Sequence, residues 1–217
     1  MKVLFIAKEN DAFAEKAMAY IQANYPNYTC VTGKRGTALP PQIADWKGDI
    51  LISYLSPWII PAAVLENASL AAINFHPGSP AYPGIGCTNF ALYNNEKQFG
   101  ITCHHMLAKV DTGSIIAVSY FPIADNDSVW TLTQRCYEAI AALFLVVMEE
   151  LKASGKFPIS NEKWMREAYR RSELNELCKI SPDMSEAEVS RRIKATTFPN
   201  MPGAFIKLHG YTFNYKP

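Results

Sequence analysis

Ala71–Ala72–Ile73–Asn74–Phe75–His76–Pro77–Gly78–Ser79–Pro80 decides how this chain is read. It opens as a short apolar run, the pattern of a buried strand end. Asn74 and His76 stand two apart, and side chains two apart in a strand share a face. Pro77, Gly78 and Pro80 then stop the strand and force a loop. An amide donor and a titratable ring therefore project together from a strand end. In an open α/β sheet, ligands bind beyond the carboxyl ends of the strands. An isolated Asn-x-His pair is more often structural than catalytic. The second piece of chemistry is Asp111–Thr112–Gly113, directly before another apolar run, Ser114–Val118. A carboxylate on a turn beside a strand can reach the same mouth.

Working toward the N-terminus, Lys2–Ala7 reads as the first strand of a parallel sheet, apolar and bounded by polar residues. Asp11 caps a helix running to Asn24, with Phe13, Ala14, Ala17, Met18 and Ile21 at helical spacing and Pro26 ending it. Tyr28–Thr32 is a second strand, Gly33–Pro41 a loop carrying Lys34 and Arg35, and Asp49–Tyr54 a third strand before a short helix, Ala62–Asn67. Lys34 and Arg35 could clasp a diphosphate, since guanidinium matches phosphate oxygens in pairs, or be plain solvated residues. No G-x-G-x-x-G follows the first strand, which argues against a dinucleotide-binding domain.

Toward the C-terminus, the loop Pro77–Gly86 precedes a short helix near Thr88–Asn94. Its glycines allow close backbone approach to a ligand. Tyr82 either stacks on a base or sugar or caps the loop. Gly100–Met106 and Ser114–Ile123 are strands, with His104 and His105 on opposite faces of the first. Asp127–Ser128 opens a long helix to Ser154, with Gly155 placed to end it. Beyond residue 155 the character changes. Arg166, Arg170 and Arg171 recur at helix-like spacing, Ser185-x-x-Glu188 is a capping box for a helix to Thr196, and His209–Gly210 joins two short strands, Ala204–Leu208 and Tyr211–Tyr215. The expected architecture is α/β, a Rossmann-like, mostly parallel sheet flanked by helices. Residues 1–155 form the catalytic unit, and residues 156–217 a C-terminal helix and β-hairpin.

Bulk properties narrow the field. The net charge of +1 gives no global attraction to nucleic acid or an acidic membrane. The five cysteines, at 30, 87, 103, 136 and 178, have no C-x-x-C spacing and read as free thiols of a reducing compartment. His76, His104, His105 and His209 show no metal-ligand spacing, so no metal is expected. Ala139–Met148 is too short to span a bilayer, and the first apolar run is too short for a secretion signal. The expected location is the cytoplasm.

Asn74-x-His76, the Pro/Gly/Tyr-rich loop Pro77–Gly86 and Asp111–Thr112–Gly113, in order across Asp49–Pro122, resemble the signature of the folate-dependent formyltransferases. The resemblance implies 10-formyltetrahydrofolate as donor, leaving as tetrahydrofolate, and Asn74, His76 and Asp111 as catalytic residues. It implies a pterin pocket around Leu55, Ser56, Trp58, Ile59, Ala108 and Val110. It further implies an acceptor site drawn from Lys8, Pro77, Gly78, Ser79, Tyr82 and Gly84. Lys8–Glu9–Asn10 lacks the glycine-bearing phosphate loop of the glycinamide branch. Arg191–Ala195 with Phe198–Pro199 and Gly203–Phe205 resembles the end of the catalytic domain in the tRNA and sugar branches. No long stretch follows Pro217 to serve as a tRNA-binding domain. The implied acceptor is thus a nucleotide-linked amino sugar, of the kind used in bacterial surface polysaccharides, and the implied assembly a homodimer. The competing readings are a glycinamide ribonucleotide formyltransferase, a hydrolase that releases formate from 10-formyltetrahydrofolate, and a folate-binding regulatory module without turnover.

Overall fold

The computed structural model describes residues 1–216. The chain begins β1 (Lys2–Lys8), α1 (Ala12–Asn24), β2 (Asn27–Gly33), α2 (Pro41–Ala44), β3 (Gly48–Tyr54), α3 (Ala62–Leu65) and β4 (Ala68–His76). It continues α4 (Cys87–Tyr93), β5 (Gln98–His105), β6 (Ile115–Pro122) and α5 (Val129–Ser154). These six strands form one sheet in the order β2-β1-β3-β4-β5-β6. The first four run parallel, and β5 and β6 are antiparallel additions. The α/β, mostly parallel expectation holds.

Strand alternation explains how two cores are filled at once. Val3, Phe5 and Ala7 pack on one face of β1 with Ile52, Tyr54 and Phe75. Leu4 and Ile6 pack on the other with Leu51, and with Ile43 and Val64 from α2 and α3. On the first face α5 lays down Leu132, Cys136, Ile140, Leu143, Phe144, Val147 and Leu151, a stripe at three- and four-residue spacing. Phe144 stands edge-on or tilted against Phe5, Tyr54 and Phe75, with centroids 5.5–6.1 Å apart. Each such fully buried aromatic contributes about 2–3 kcal/mol. Cys103 and Cys136 are buried among these apolar side chains as small hydrophobes.

The helix caps follow the sequence. The Asp11 carboxylate accepts from the Phe13 and Ala14 amides. Ser128 caps α5, which ends on Gly155 in the left-handed region. Two features of the C-terminal part differ from expectation. The arginine spacing does not make a helix through Arg166 and Arg170. Residues 156–170 run as an extended strap, and only α6 (Arg171–Leu177) is helical. The strap's backbone bonds go to the loop after β4 instead: Met165 N–H to Pro80 O at 3.0 Å and Tyr169 N–H to Pro83 O at 2.9 Å. The Ile85 N–H returns a bond to Tyr169 O at 3.1 Å. Second, the capping box of α7 (Glu186–Thr196) is half made. Ser185 accepts from the Glu188 amide, but the Glu188 carboxylate turns to Arg191, Arg192 and the Tyr93 hydroxyl, tying α7 to α4.

The last elements are β7 (Lys179–Ile180), β8 (Phe205–Leu208) and β9 (Tyr211–Asn214). β8 and β9 form the expected hairpin, and β7 adds a parallel strand that its two-residue length hid in the sequence. The turn residues His209 and Gly210 both have positive φ, 48° and 84°, as a two-residue hairpin turn requires. No helix among the described residues is long and apolar enough to cross a membrane.

Candidate active site

The strand pattern of β4 sends Ile73 and Phe75 into the α5-side core. Asn74 and His76 therefore share the other face. β5 pairs antiparallel with β4 so that His104 lies directly opposite Asn74. Cross-strand neighbours on one face touch, and here the Asn74 amide nitrogen is 3.1 Å from His104 Nε2. Beyond β5 the chain turns through Asp111, whose φ of 49° bends the backbone so that its carboxylate comes back under both rings. The turn closes on Gly113, where a Cβ would lie 1.8 Å from the His105 carbonyl oxygen.

The result is a buried cluster. Asp111 Oδ2 is 3.3 Å from His76 Nδ1 and accepts the Gly84 N–H at 2.7 Å. Asp111 Oδ1 is 3.2 Å from His104 Nε2. His76 Nε2 donates to the Tyr82 carbonyl at 3.0 Å, and His104 Nδ1 donates to the His105 carbonyl at 2.8 Å. Both rings are therefore fixed at both nitrogens. Burial by itself would push the Asp111 carboxyl up. The charge of His76, the hydrogen bond and charge of His104, and the Gly84 amide outweigh it and hold the group at about 2. His105, on the opposite face, packs edge-on to Phe157, and burial followed by the His104 charge pushes its ring down.

The strap completes the cluster from behind. Trp164 donates its indole N–H to Gly113 O at 2.8 Å and stands edge-on to His104 and His76, with centroids 5.1 and 5.9 Å away. Tyr169 stacks on Phe90 at 3.8 Å and carries the Arg166 guanidinium on its ring. The loop after β4 is held as well: Thr102 Oγ1 donates to Gly78 O at 2.8 Å, and Cys87 Sγ to Pro77 O.

Asn74, His76, His104 and Asp111 line one cleft of about 690 Å³. Of the residues expected to hold ligands, Leu55, Ser56, Trp58, Ile59, Ala108, Val110, Pro77 and Gly84 line it. Four others do not. Tyr82 is 4% exposed and its ring lies in the core beside Phe99 and Tyr169, so the ring is not free to stack on a base or sugar. Its hydroxyl donates to Glu96 at 2.6 Å. Ser79 is buried, and Gly78 is packed so tightly behind His76 that a Cβ would sit 2.5 Å from Nε2. The Lys8 ammonium pairs with Asp11 at 3.4 Å and lies 5.1 Å above the Tyr137 ring, which does line the cleft. Trp58 is a clamp as well as a wall: its indole N–H donates to Thr37 O at 2.9 Å, and its ring fills the space a Cβ on Gly33 would need. The strap residues Glu167–Arg170 also line the cleft, and nothing in their sequence marks them for it.

The sequence pattern of the family described as "Formyl transferase" matches residues 8–148, which hold five of the six strands of the main sheet and the whole cluster. The chain belongs to the formyl transferase family. Its similarity extends to the GDP-perosamine N-formyltransferase of Brucella melitensis, 28% identical over 172 residues, covering 78% of this chain. The chain spans 65% of the length of that curated relative. Its fold is shared with a sugar N-formyltransferase from Shewanella sp. FDAARGOS_354, with TM-score 0.78, 18% identity, and 100% and 97% of the two chains covered. It is shared also with the N-formyltransferase of Helicobacter canadensis in complex with folinic acid and dTDP-3-aminofucose, with TM-score 0.73, 21% identity, and 97% and 85% covered.

Proposed function

We propose that this chain transfers a formyl group from 10-formyltetrahydrofolate to the amine of a nucleotide-linked amino sugar. The observation that carries the reading is the cluster itself. An amide and an imidazole on one strand face, backed by a buried carboxylate, open into a cleft at the end of the sheet, within a chain of the formyl transferase family. The acceptor class is supported by the Brucella relative and by the aminofucose complex of the Helicobacter protein. A folate donor fits the walls. Ile59, Leu107 and Val110 line the cleft, yet are 77%, 57% and 42% exposed, which suits the faces of a flat ring system.

The donor supplies an activated formyl carbon. The chain's residues have three tasks there. Asn74 offers amide N–H groups to the carbonyl oxygen as it becomes negative, and stabilising that oxygen usually does most to lower the barrier in such transfers. His76 stands beside it and, with Nδ1 kept on Asp111 and Nε2 released from the Tyr82 carbonyl, carries a proton. The attacking amine must lose one proton as its N–C bond forms, and the departing folate nitrogen must gain one as its bond to carbon breaks. Asp111, held at about 2, is a poor proton acceptor at neutral pH. Its role is to fix the rings and balance positive charge that forms on them. His104 extends the same role from β5 and is the fourth member of the cluster.

The deciding experiment mixes the protein with 10-formyltetrahydrofolate and a panel of nucleotide-linked 3- and 4-amino-deoxysugars, with glycinamide ribonucleotide and a no-amine control alongside. Mass spectrometry is expected to find a formyl gain on one sugar nucleotide, lost in His76→Ala. Formyl gain on the ribonucleotide alone, or formate released without an amine, would overturn the acceptor or the transferase reading. Trp164 gives a second prediction. Trp164→Ala frees Gly113 and one side of both rings, and small misplacements near the chemistry can cost on the order of 100-fold. A fall in kcat of roughly 10- to 100-fold is expected. Trp164→Phe keeps the edge contact and should recover much of it. Unchanged kcat in the alanine variant would show that the strap only covers the site.

A further inference from the structure

The cleft has a second chemical character that the formyl transfer does not use. Outside the catalytic cluster its charged lining residues are Arg35, Lys109, Glu167 and Arg170. Lys109 and Glu167 neutralise each other at 2.8 Å. Arg35 and Arg170 form no ion pair among the described residues, nor does Arg171, the next residue along. Glu173, the nearest acid on α6, is already bonded to Arg166 and to the Arg170 backbone amide.

These cations are not loosely hung. The loop carrying Arg35 is pinned at Thr37 by the Trp58 indole N–H and at Gly33 by the Trp58 ring. Arg170 follows Tyr169, whose N–H and C=O are both bonded to the loop after β4. Two chain segments far apart in sequence thus bring guanidinium groups to one mouth. The other place where this sheet could hold an anion, the start of α1, is filled by the chain's own carboxylate: Asp11 takes the Phe13 and Ala14 amides and pairs with Lys8.

We propose that Arg35 and Arg170 form a diphosphate-binding subsite at the mouth of the catalytic cleft, holding the acceptor by its phosphates while the amine reaches Asn74 and His76. The inference rests on the acceptor reading above, and names where its charge is held. Guanidinium groups suit this task because their paired N–H donors match phosphate oxygens.

The test separates the subsite from the reaction. Inorganic pyrophosphate, titrated calorimetrically at low ionic strength, is expected to bind the wild type and to bind Arg35→Ala/Arg170→Ala at least tenfold more weakly, with Lys replacements intermediate. In the transfer assay the same double variant is expected to raise the KM for the sugar nucleotide at least tenfold, while folate affinity is retained. Equal pyrophosphate affinity in wild type and variant overturns the subsite even if transfer is confirmed. Pyrophosphate binding lost in the variant, with no transfer to any sugar nucleotide by the wild type, upholds the subsite and overturns the acceptor reading instead.

Discussion

Asp111→Asn is expected to lower formyl transfer by roughly 1,000-fold while donor binding survives. The carboxylate touches three things at once: His76, His104 and the Gly84 amide, and through the last it holds the loop on which the cleft wall is built. An asparagine side chain is isosteric, so the cavity does not collapse. It carries no charge, however, and its amide nitrogen would face either an N–H from Gly84 or a ring nitrogen. Positive charge forming on an imidazole during transfer would then be left unbalanced in a buried site, where charges are weakly screened. The same carboxylate also gives the folded state an acid dependence. Its folded value of about 2 lies below its ordinary 3.8, so its stabilisation is complete above the unfolded value and is lost as pH falls from about 4 through 2. A carboxyl lowered from 3.8 to about 2 corresponds to about 2 kcal/mol. Chemical denaturation of the wild type between pH 5 and 2 should therefore fall more steeply than that of Asp111→Asn. Parallel acid profiles, or turnover by the variant within tenfold of wild type, would remove Asp111 from its assigned role.

The contrast between Asp111 and His104 shows what a sequence can expose. Asn74 and His76 are legible because a period of two places them on one face without further information. Asp111 is legible because a carboxylate on a glycine-closed turn before a strand has few uses. His104 is not separable from His105 in the sequence. Its place in the cluster depends on the antiparallel register that sets it against Asn74, and register is a tertiary fact. The strap is the larger gap. Arg166, Arg170 and Arg171 have helical spacing, and local propensity has no competitor within the sequence itself. In the fold the backbone of 165–169 finds partners on Pro80, Pro83 and Ile85, and those bonds replace a helix ladder. Tyr82 misleads for a related reason. A tyrosine in a glycine- and proline-rich loop looks available to a ligand, but Glu96 and Asn94 sit within reach of its hydroxyl and the ring completes the core. The C-terminal stretch thus reads as an appendage in sequence while its strap backs the cluster of His76, His104 and Asp111 in space.

Gly84→Ala should damage both stability and turnover, because this one residue joins the strap, the loop and Asp111. Its φ is 87°, a conformation L-residues rarely adopt, and a Cβ there would lie 2.5 Å from both the nitrogen and the oxygen of Tyr169. These are backbone atoms held in a bridge between the two segments, so no flexible side chain can swing away to make room. The strained φ costs about 1–2 kcal/mol and the overpacking another 1–3 kcal/mol. Together they predict a loss of about 3 kcal/mol, or a fall in Tm of roughly 6–12 °C for a chain of this length. Pushing the loop away from the strap also draws the Gly84 N–H off Asp111 Oδ2, so kcat should drop even at temperatures where the variant is folded. Gly155→Ala is the control. Its φ of 72° is also left-handed, but nothing lies within 4 Å of the added carbon. It should therefore show the conformational cost alone, about 1 kcal/mol, with normal turnover. Equal melting losses in the two variants would mean that Tyr169 gives way freely. The strap would then be a loose cover rather than the part that holds Asp111 in register with His76.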